Sequence, residues 1–457
     1  MPDIYEGWGA GRGTGGEPRS ITFTNVRILD ATGEQPFSGE VVVEGNRIKR
    51  VTRSGMGSGM GSGSSWSSGN SLGWSGANGP TLRIDGRGMT LMPGLIDAHL
   101  HLSWNNAPGI NPIQMMPLEE HVLNCVEMAK VVLDAGFTSG RGAAAAKPRL
   151  DVVIRDAINA GRFPGPRYTA AGPEITTLGG LGDATPPHIP HEGLNLGIVV
   201  SGPEDVRRKV RELIKWGVDT IKLNLSGEEI VGMPAEITQM SEEEVAMAVA
   251  EARRRGKTLA AHARSSDSVI QCVRHGIEYI YHASFVNEDA LDMLEEHKEK
   301  HFVAPGLAWL ICTAREAGEY GIKPGSYMTQ RYERELEHAV DAMKKMHKRG
   351  IRVLIGGDYG FAWTPHGTNA KDLQYFVELL GFSPMEAIRA GTFFGGQIMG
   401  MEGELGAIRE GWLADMLLVD GDPLADVRIL QDRKRIVAIM KDGKFHRAPD
   451  SQMARVQ

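Results

Sequence analysis

Cysteine is scarce in this chain. Its 457 residues hold only Cys125, Cys272 and Cys312, an odd number at wide spacing with no Cys-x-x-Cys pair. That excludes a disulfide scaffold and a zinc–thiolate site, so a reducing compartment, the cytoplasm, is the expected location. Long apolar runs are also missing, and Met1 to Ser20 is Gly-rich and polar, without the apolar core of a secretion signal. Neither a membrane span nor a membrane partner is expected. Basic clusters are few: the formal net charge is -7, and apart from Arg253-Arg254-Arg255 and Lys344-Lys345, which fall on helix-like segments and read as solvated faces, Lys and Arg are scattered. Nucleic acid is therefore not an expected partner. What remains, 41% hydrophobic and 23% charged residues, is the mixture of a globular enzyme long enough to bury a large core.

Both chain ends read as β structure. Ile21 to Leu29 and Glu40 to Val51 are rich in β-branched residues with partial alternation, and Ala414 to Val419 and Ile436 to Met440 repeat the pattern near the other end. Residues 21–90 and 401–457 are expected to build one small β-sandwich together, behind a flexible stretch at 1–20. Residues 54–79, almost entirely Gly, Ser, Met and Asn with Trp66 and Trp74, cannot bury a core and read as a flexible insertion. Between the ends, residues 91–400 alternate strand-like and helix-like segments. Counting the run from Leu91 to His101 as the first, eight strands are each followed by helix-like sequence, the signature of an α/β fold of the (β/α)8 TIM barrel type. A doubly wound open sheet is the runner-up, but no Gly-x-Gly-x-x-Gly follows the first strand.

Active sites of such barrels lie at the carboxyl ends of the strands, so polar residues there are informative. His99 and His101 end the first strand and, one residue apart, point to the same side. Lys222 lies on the fourth strand, where Thr220, Lys222 and Asn224 share one face and Ile221, Leu223 and Leu225 the other. His262, His282 and Asp358 close the fifth, sixth and eighth strands. Each has a plainer role available: a snorkelling lysine, satisfied core histidines, a helix-capping aspartate. Six at the same end of the right strands make a site. A buried lysine with a lowered pKa can add carbon dioxide to become an anionic carbamate, and four imidazoles, a bridging carbamate and an aspartate suit a pair of zinc-like ions that share a hydroxide.

These motifs, namely Pro93-Gly94-Leu95-Ile96-Asp97-Ala98-His99-Leu100-His101, Ile221-Lys222-Leu223, Ala261-His262-Ala263, Tyr281-His282-Ala283-Ser284, Gly356-Gly357-Asp358 and Gly411-Trp412-Leu413-Ala414-Asp415-Met416, resemble the amidohydrolase superfamily in its binuclear, lysine-carbamate form. Within it the chain is similar to the imidazolonepropionase-like and Xaa-Pro dipeptidase-like branch, which also holds ochratoxin, molinate and phenylurea hydrolases. The resemblance implies that His99, His101 and Asp358 hold a buried metal, that His262 and His282 hold an outer one, and that carboxylated Lys222 bridges them. The expected cofactors are two divalent ions, zinc first, with cobalt, manganese or iron as alternatives. Asp358 would act as the catalytic acid and base. Barrels of this kind commonly self-associate, so a homo-oligomer is expected.

Substrate class is read from the loops. Many relatives carry Gly-Gly-His-Gly after the third strand, where this chain has Gly179-Gly180-Leu181-Gly182, with apolar Leu181 in the histidine's place. After the fourth strand stand Glu228 and Glu229, which would repel a peptide carboxylate. Trp104, Trp309, Tyr359, Phe361 and Trp363 suggest an aromatic rim, with His366 as a further substrate contact. The expectation is hydrolysis of an amide, urea, carbamate or thiocarbamate bond in a neutral small molecule, aromatic ones included. An Xaa-Pro dipeptidase or carboxypeptidase would need a basic or tyrosyl clamp that the sequence does not locate. A ring deaminase is a further alternative, opposed by Lys222, and a non-catalytic binding protein on the same barrel is opposed by retention of all six ligands.

Overall fold

A computed structural model describes residues 20–54, 80–186, 188 and 195–456. The flexible start expected at 1–20 lies, except for Ser20, outside the described residues. So does the insertion with its two tryptophans, except for Ser54.

Alternation in the end segments produces strands that pair across the whole length of the chain. The strand Ser20–Ile28 runs antiparallel to Phe37–Glu44, and its other edge is shared: its first half pairs with Thr81–Asp85 and its second half with Thr90–Pro93. From the other end, Met416–Val419 lies antiparallel to Thr90–Pro93, and Ala454–Val456 lies antiparallel to Thr81–Asp85. The result is one nine-stranded sheet that forks at its first strand. It encloses its own core of Phe23, Ile28, Val41, Ile84, Leu91, Met416, Leu418 and Met440, every one of them buried. Burial of this alternating apolar set is what joins the two chain ends.

The barrel begins one residue after this sheet. The run from Leu91 to His101, expected as a single strand, is two: Thr90–Pro93 belongs to the forked sheet and Leu95–Leu100 to the barrel. Gly94 is the joint, and it is glycine for lack of room, because a Cβ there would lie 2.1 Å from the Thr138 hydroxyl. Parallel strands Phe137–Gly142, Arg167–Thr169, Thr220–Asn224, Thr258–Ser265, Tyr279–Phe285 and Phe302–Ala304 follow. Residues 352–355 complete the ring, with Leu354 N–H donating to Val303 O at 2.8 Å and Ala98 N–H to Ile355 O at 3.1 Å. Asp219 N–H, donating to Ala170 O at 2.8 Å, joins the third strand to the fourth. The chain is thus a (β/α)8 barrel with a β domain built from both ends.

The outer helices follow their apolar period. On Pro203–Trp216 the buried residues are Val206, Val210 and Leu213, one stripe of the helix. Glu242–Arg253 starts at a capping box between Ser241 and Glu244, and Ser266–His275 ends at left-handed Gly276. The loop after the third strand adds a small parallel pair, Ile175–Thr177 with Ile198–Val200, and the loop after the seventh adds the helix Leu307–Arg315. Neither was expected. Among the described residues no helix is long and apolar enough to cross a membrane.

Candidate active site

His99, His101, Lys222, His262, His282 and Asp358 all line one cavity at the carboxyl ends of the barrel strands. The strands' own alternation delivers them, since each has apolar neighbours packed outward against the helices. Asp358 is the focus: its Oδ1 lies 3.1 Å from His101 Nε2 and 3.6 Å from His99 Nε2, and its Oδ2 lies 3.9 Å from His282 Nε2. His99, His282 and Asp358 bring one ligand atom each within 4.8 Å of one another, and the His262 and His282 rings are 4.5 Å apart. Backbone strain marks the same place. His282 and Asp358 sit at φ of 80° and 61°, a region that non-glycine residues hold only when the surroundings impose it.

Electrostatics make these groups lone-pair donors. Burial lowers His99, His262 and His282 well below the usual imidazole range, so they stand neutral. The other ring nitrogen is anchored: His101 Nδ1 donates to Ala144 O at 3.1 Å, which turns Nε2 toward Asp358, and His262 Nε2 lies 3.0 Å from Gly227 O and 3.3 Å from Arg264 Nε. The buried Nδ1 atoms of His99 and His282 have no partner among the described residues. Burial likewise lowers Lys222, whose Nζ lies 4.0 Å from Glu174 Oε2.

Surrounding groups hold the ligands in place. Asp97 accepts the His99 N–H at 2.8 Å and the Asn369 amide at 2.7 Å, and burial pushes its carboxyl up to about 6. His101 stacks on Trp104, with ring centres 4.3 Å apart. His99 stacks on Tyr281 at 3.9 Å.

The expected substrate contacts divide four to three. Trp104, Leu181 and Trp309 line the cavity, as does Phe361, and Asn224 Nδ2 holds the Leu181 carbonyl at 2.9 Å. Tyr359, Trp363 and His366 do not line it. Tyr359 turns inward to Asp372, Trp363 Nε1 donates to Thr313 Oγ1 at 2.9 Å, and His366 Nε2 donates to His101 O at 3.0 Å, which makes His366 a prop for a candidate ligand. Their loop folds back on the barrel because rings gain more by packing on each other than by facing water; Trp363 lies 5.0 Å from Phe361 and 5.8 Å from Trp309. The two acids after the fourth strand also divide. Glu229 turns away to Arg331, 2.9 Å distant, while Glu228 lines the cavity bound to Arg264, Tyr332 and Trp309, so neither carboxylate is free. Sequence reasoning missed Glu174 and Arg264. The first lies in the irregular third-strand loop, and the second lies two residues past His262, a same-face position that could have exposed it.

The amidohydrolase family profile matches residues 90–445. The chain belongs to the amidohydrolase family. It is a hydrolase acting on carbon–nitrogen bonds. Ochratoxinase of Aspergillus niger is 26% identical over 385 residues, covering 79% of this chain and 76% of that one. A crystal structure of a prolidase complexed with N-methylphosphonate-L-proline is 27% identical and superposes with a TM-score of 0.80, covering 94% and 99% of the two chains. Molinate hydrolase, at 21% identity and a TM-score of 0.68 over 94% and 95%, shares the fold.

Proposed function

We propose that this amidohydrolase is a metal-dependent enzyme that cleaves an amide, urea, carbamate or thiocarbamate bond in a neutral small molecule with an apolar or aromatic arm. The observation that carries the metal assignment is the convergence of imidazole nitrogens on the Asp358 carboxylate, with His101 Nε2 and His99 Nε2 at 3.1 and 3.6 Å from a single oxygen. Nitrogen and carboxylate ligand atoms gathered this closely in a buried cavity are the donor set that a divalent cation takes.

His99, His101, His262, His282 and Asp358, with Lys222 as its carbamate, would hold two divalent ions, zinc first. When bound, such ions supply a hydroxide at neutral pH and polarise the scissile carbonyl. Lys222 suits carbamate formation because burial disfavours its ammonium form, while Glu174 stands by as the partner of that form. Asp358 accepts the nucleophile's proton and passes it to the leaving nitrogen, completing general acid–base catalysis with one carboxylate. Trp104, Leu181, Trp309 and Phe361 exclude water and seat the apolar arm. The three cysteines, all buried and unpaired, suit a reducing cytoplasm.

Against a dipeptide substrate stands the state of Arg264. This guanidinium is fully buried and is bound by both Glu228 and Glu335, so it offers nothing to a peptide carboxylate. The test is amine release by metal-replete protein from neutral N-aryl amides, ureas and thiocarbamates set beside acyl-proline and other carboxylate-bearing dipeptides. Turnover of the neutral set is expected. Turnover confined to the dipeptides would overturn the substrate class.

A further inference from the structure

The loop after the fourth barrel strand carries Glu228 into the cavity wall, where it is 4% exposed. Donors from three separate elements already surround its carboxylate. Arg264 Nη2, from the fifth strand, donates to Oε2. The Tyr332 hydroxyl, from the helix Tyr327–Lys348, donates to Oε1 at 2.5 Å, and Trp309 Nε1, from Leu307–Arg315, reaches the same oxygen at 3.4 Å. A guanidinium flanked by a hydroxyl and an indole N–H is the equipment for binding a free carboxylate.

Charge counting shows the occupant to be surplus. Arg264 also donates to Glu335 through Nη1, and Glu335 accepts the Ser284 hydroxyl at 2.7 Å. Arg264 and Glu335 already balance each other. Glu228 is a second carboxylate on one buried guanidinium, and burial pushes its carboxyl up to about 7. Truncating it leaves a neutral ion pair and frees three donors around the place that Glu228 fills in the cavity wall, which is a binding site rather than an orphaned charge.

We propose that Glu228 is a built-in occupant of a carboxylate subsite formed by Arg264, Tyr332 and Trp309, and that it is the residue barring carboxylate-bearing substrates from this cavity. The inference rests on reading the cavity as the hydrolytic site. An incoming carboxylate meets a group of its own sign seated on the donors it needs. Without that group, the same wall recognises the free carboxylate of a dipeptide or an acylated amino acid.

The test compares metal-loaded wild type, Glu228→Gln and Glu228→Ala, with N-acetyl-L-phenylalanine and its primary amide as probes in calorimetry. Affinity for the acid relative to the amide should rise from wild type through Gln to Ala, by about tenfold or more over the series, the scale of a charge-assisted hydrogen bond. Propionate at fixed ionic strength should raise the Tm of the Ala protein more than that of wild type, and dipeptide turnover should appear in the Ala protein. Equal acid-to-amide ratios in all three proteins, or identical propionate responses, would overturn the proposal. If the Ala protein fails to fold even with propionate, the Gln protein decides, and acid binding no tighter than in wild type is the contradicting result. Binding and melting do not depend on hydrolysis, so a failed neutral panel would count against the proposed function alone.

Discussion

Two buried charged clusters share the cavity and are built on opposite principles. Around Asp358 the groups are acceptors: neutral imidazoles, a carboxylate, and a lysine whose ammonium form is disfavoured by burial. Around Arg264 donors and acceptors are largely paired within the chain, Glu228, Glu335, Tyr332 and Ser284 forming the network and only Glu335 Oε2 left over in it. The first cluster keeps ligand atoms open for the cations proposed above, and the second is largely closed by the chain itself. Burial makes both costly to leave half-made, but only the first keeps its lone pairs for something from outside.

The contrast can be broken most sharply at Asp358. Asp358→Asn should lower kcat by about a thousandfold, the usual worth of a positioned proton carrier, while leaving the urea midpoint of metal-free protein near that of wild type. Lys222→Ala should lose metal and activity together, and a variant that kept both would remove the carbamate from the account. The wall should respond in stability instead. Arg264→Met strands Glu228 and Glu335 without their cation, at a cost of about 3–5 kcal/mol in equilibrium unfolding, and a loss below about 1 kcal/mol would show that the network contributes little. The smallest effect sharpens the comparison from outside it. Asp151 is a buried carboxylate with only neutral donors, the Tyr168 hydroxyl at 2.6 Å and the Ala171 N–H at 3.3 Å, and burial pushes it up to about 7. Its contribution to stability is full below the ordinary carboxyl range, near pH 4, and is lost as pH rises through about 7. Asp151→Asn should therefore flatten the decline in unfolding free energy between pH 5 and 7.5, and an unchanged slope would place that decline elsewhere.

The strands and the acceptor cluster could be read in the sequence because they obey simple periods. His99 with His101, Lys222 between Ile221 and Leu223, and Asp358 after Gly356-Gly357 are each a polar residue closing an apolar strand, which is how barrel sites are made. The donor network could not be read the same way, because it joins residues distant in the chain: Glu228 to Arg264, and both to the helix holding Tyr332 and Glu335. Loop aromatics were legible as a group and not one by one. Trp104 and Trp309 face the cavity whereas Tyr359 and Trp363 pack inward, a division set by how the loops fold back rather than by residue type. Pro93-Gly94 was visible as a break, but its meaning as the joint between two sheets depends on Thr138, a neighbour in space.

The most direct measurement is calorimetric titration of metal-stripped protein with zinc in bicarbonate buffer, followed by melting. The account predicts two ions bound per chain, a higher Tm for the loaded protein, and loss of both in Lys222→Ala. Fewer than one ion per chain, or zinc binding that Lys222→Ala leaves intact, would contradict it.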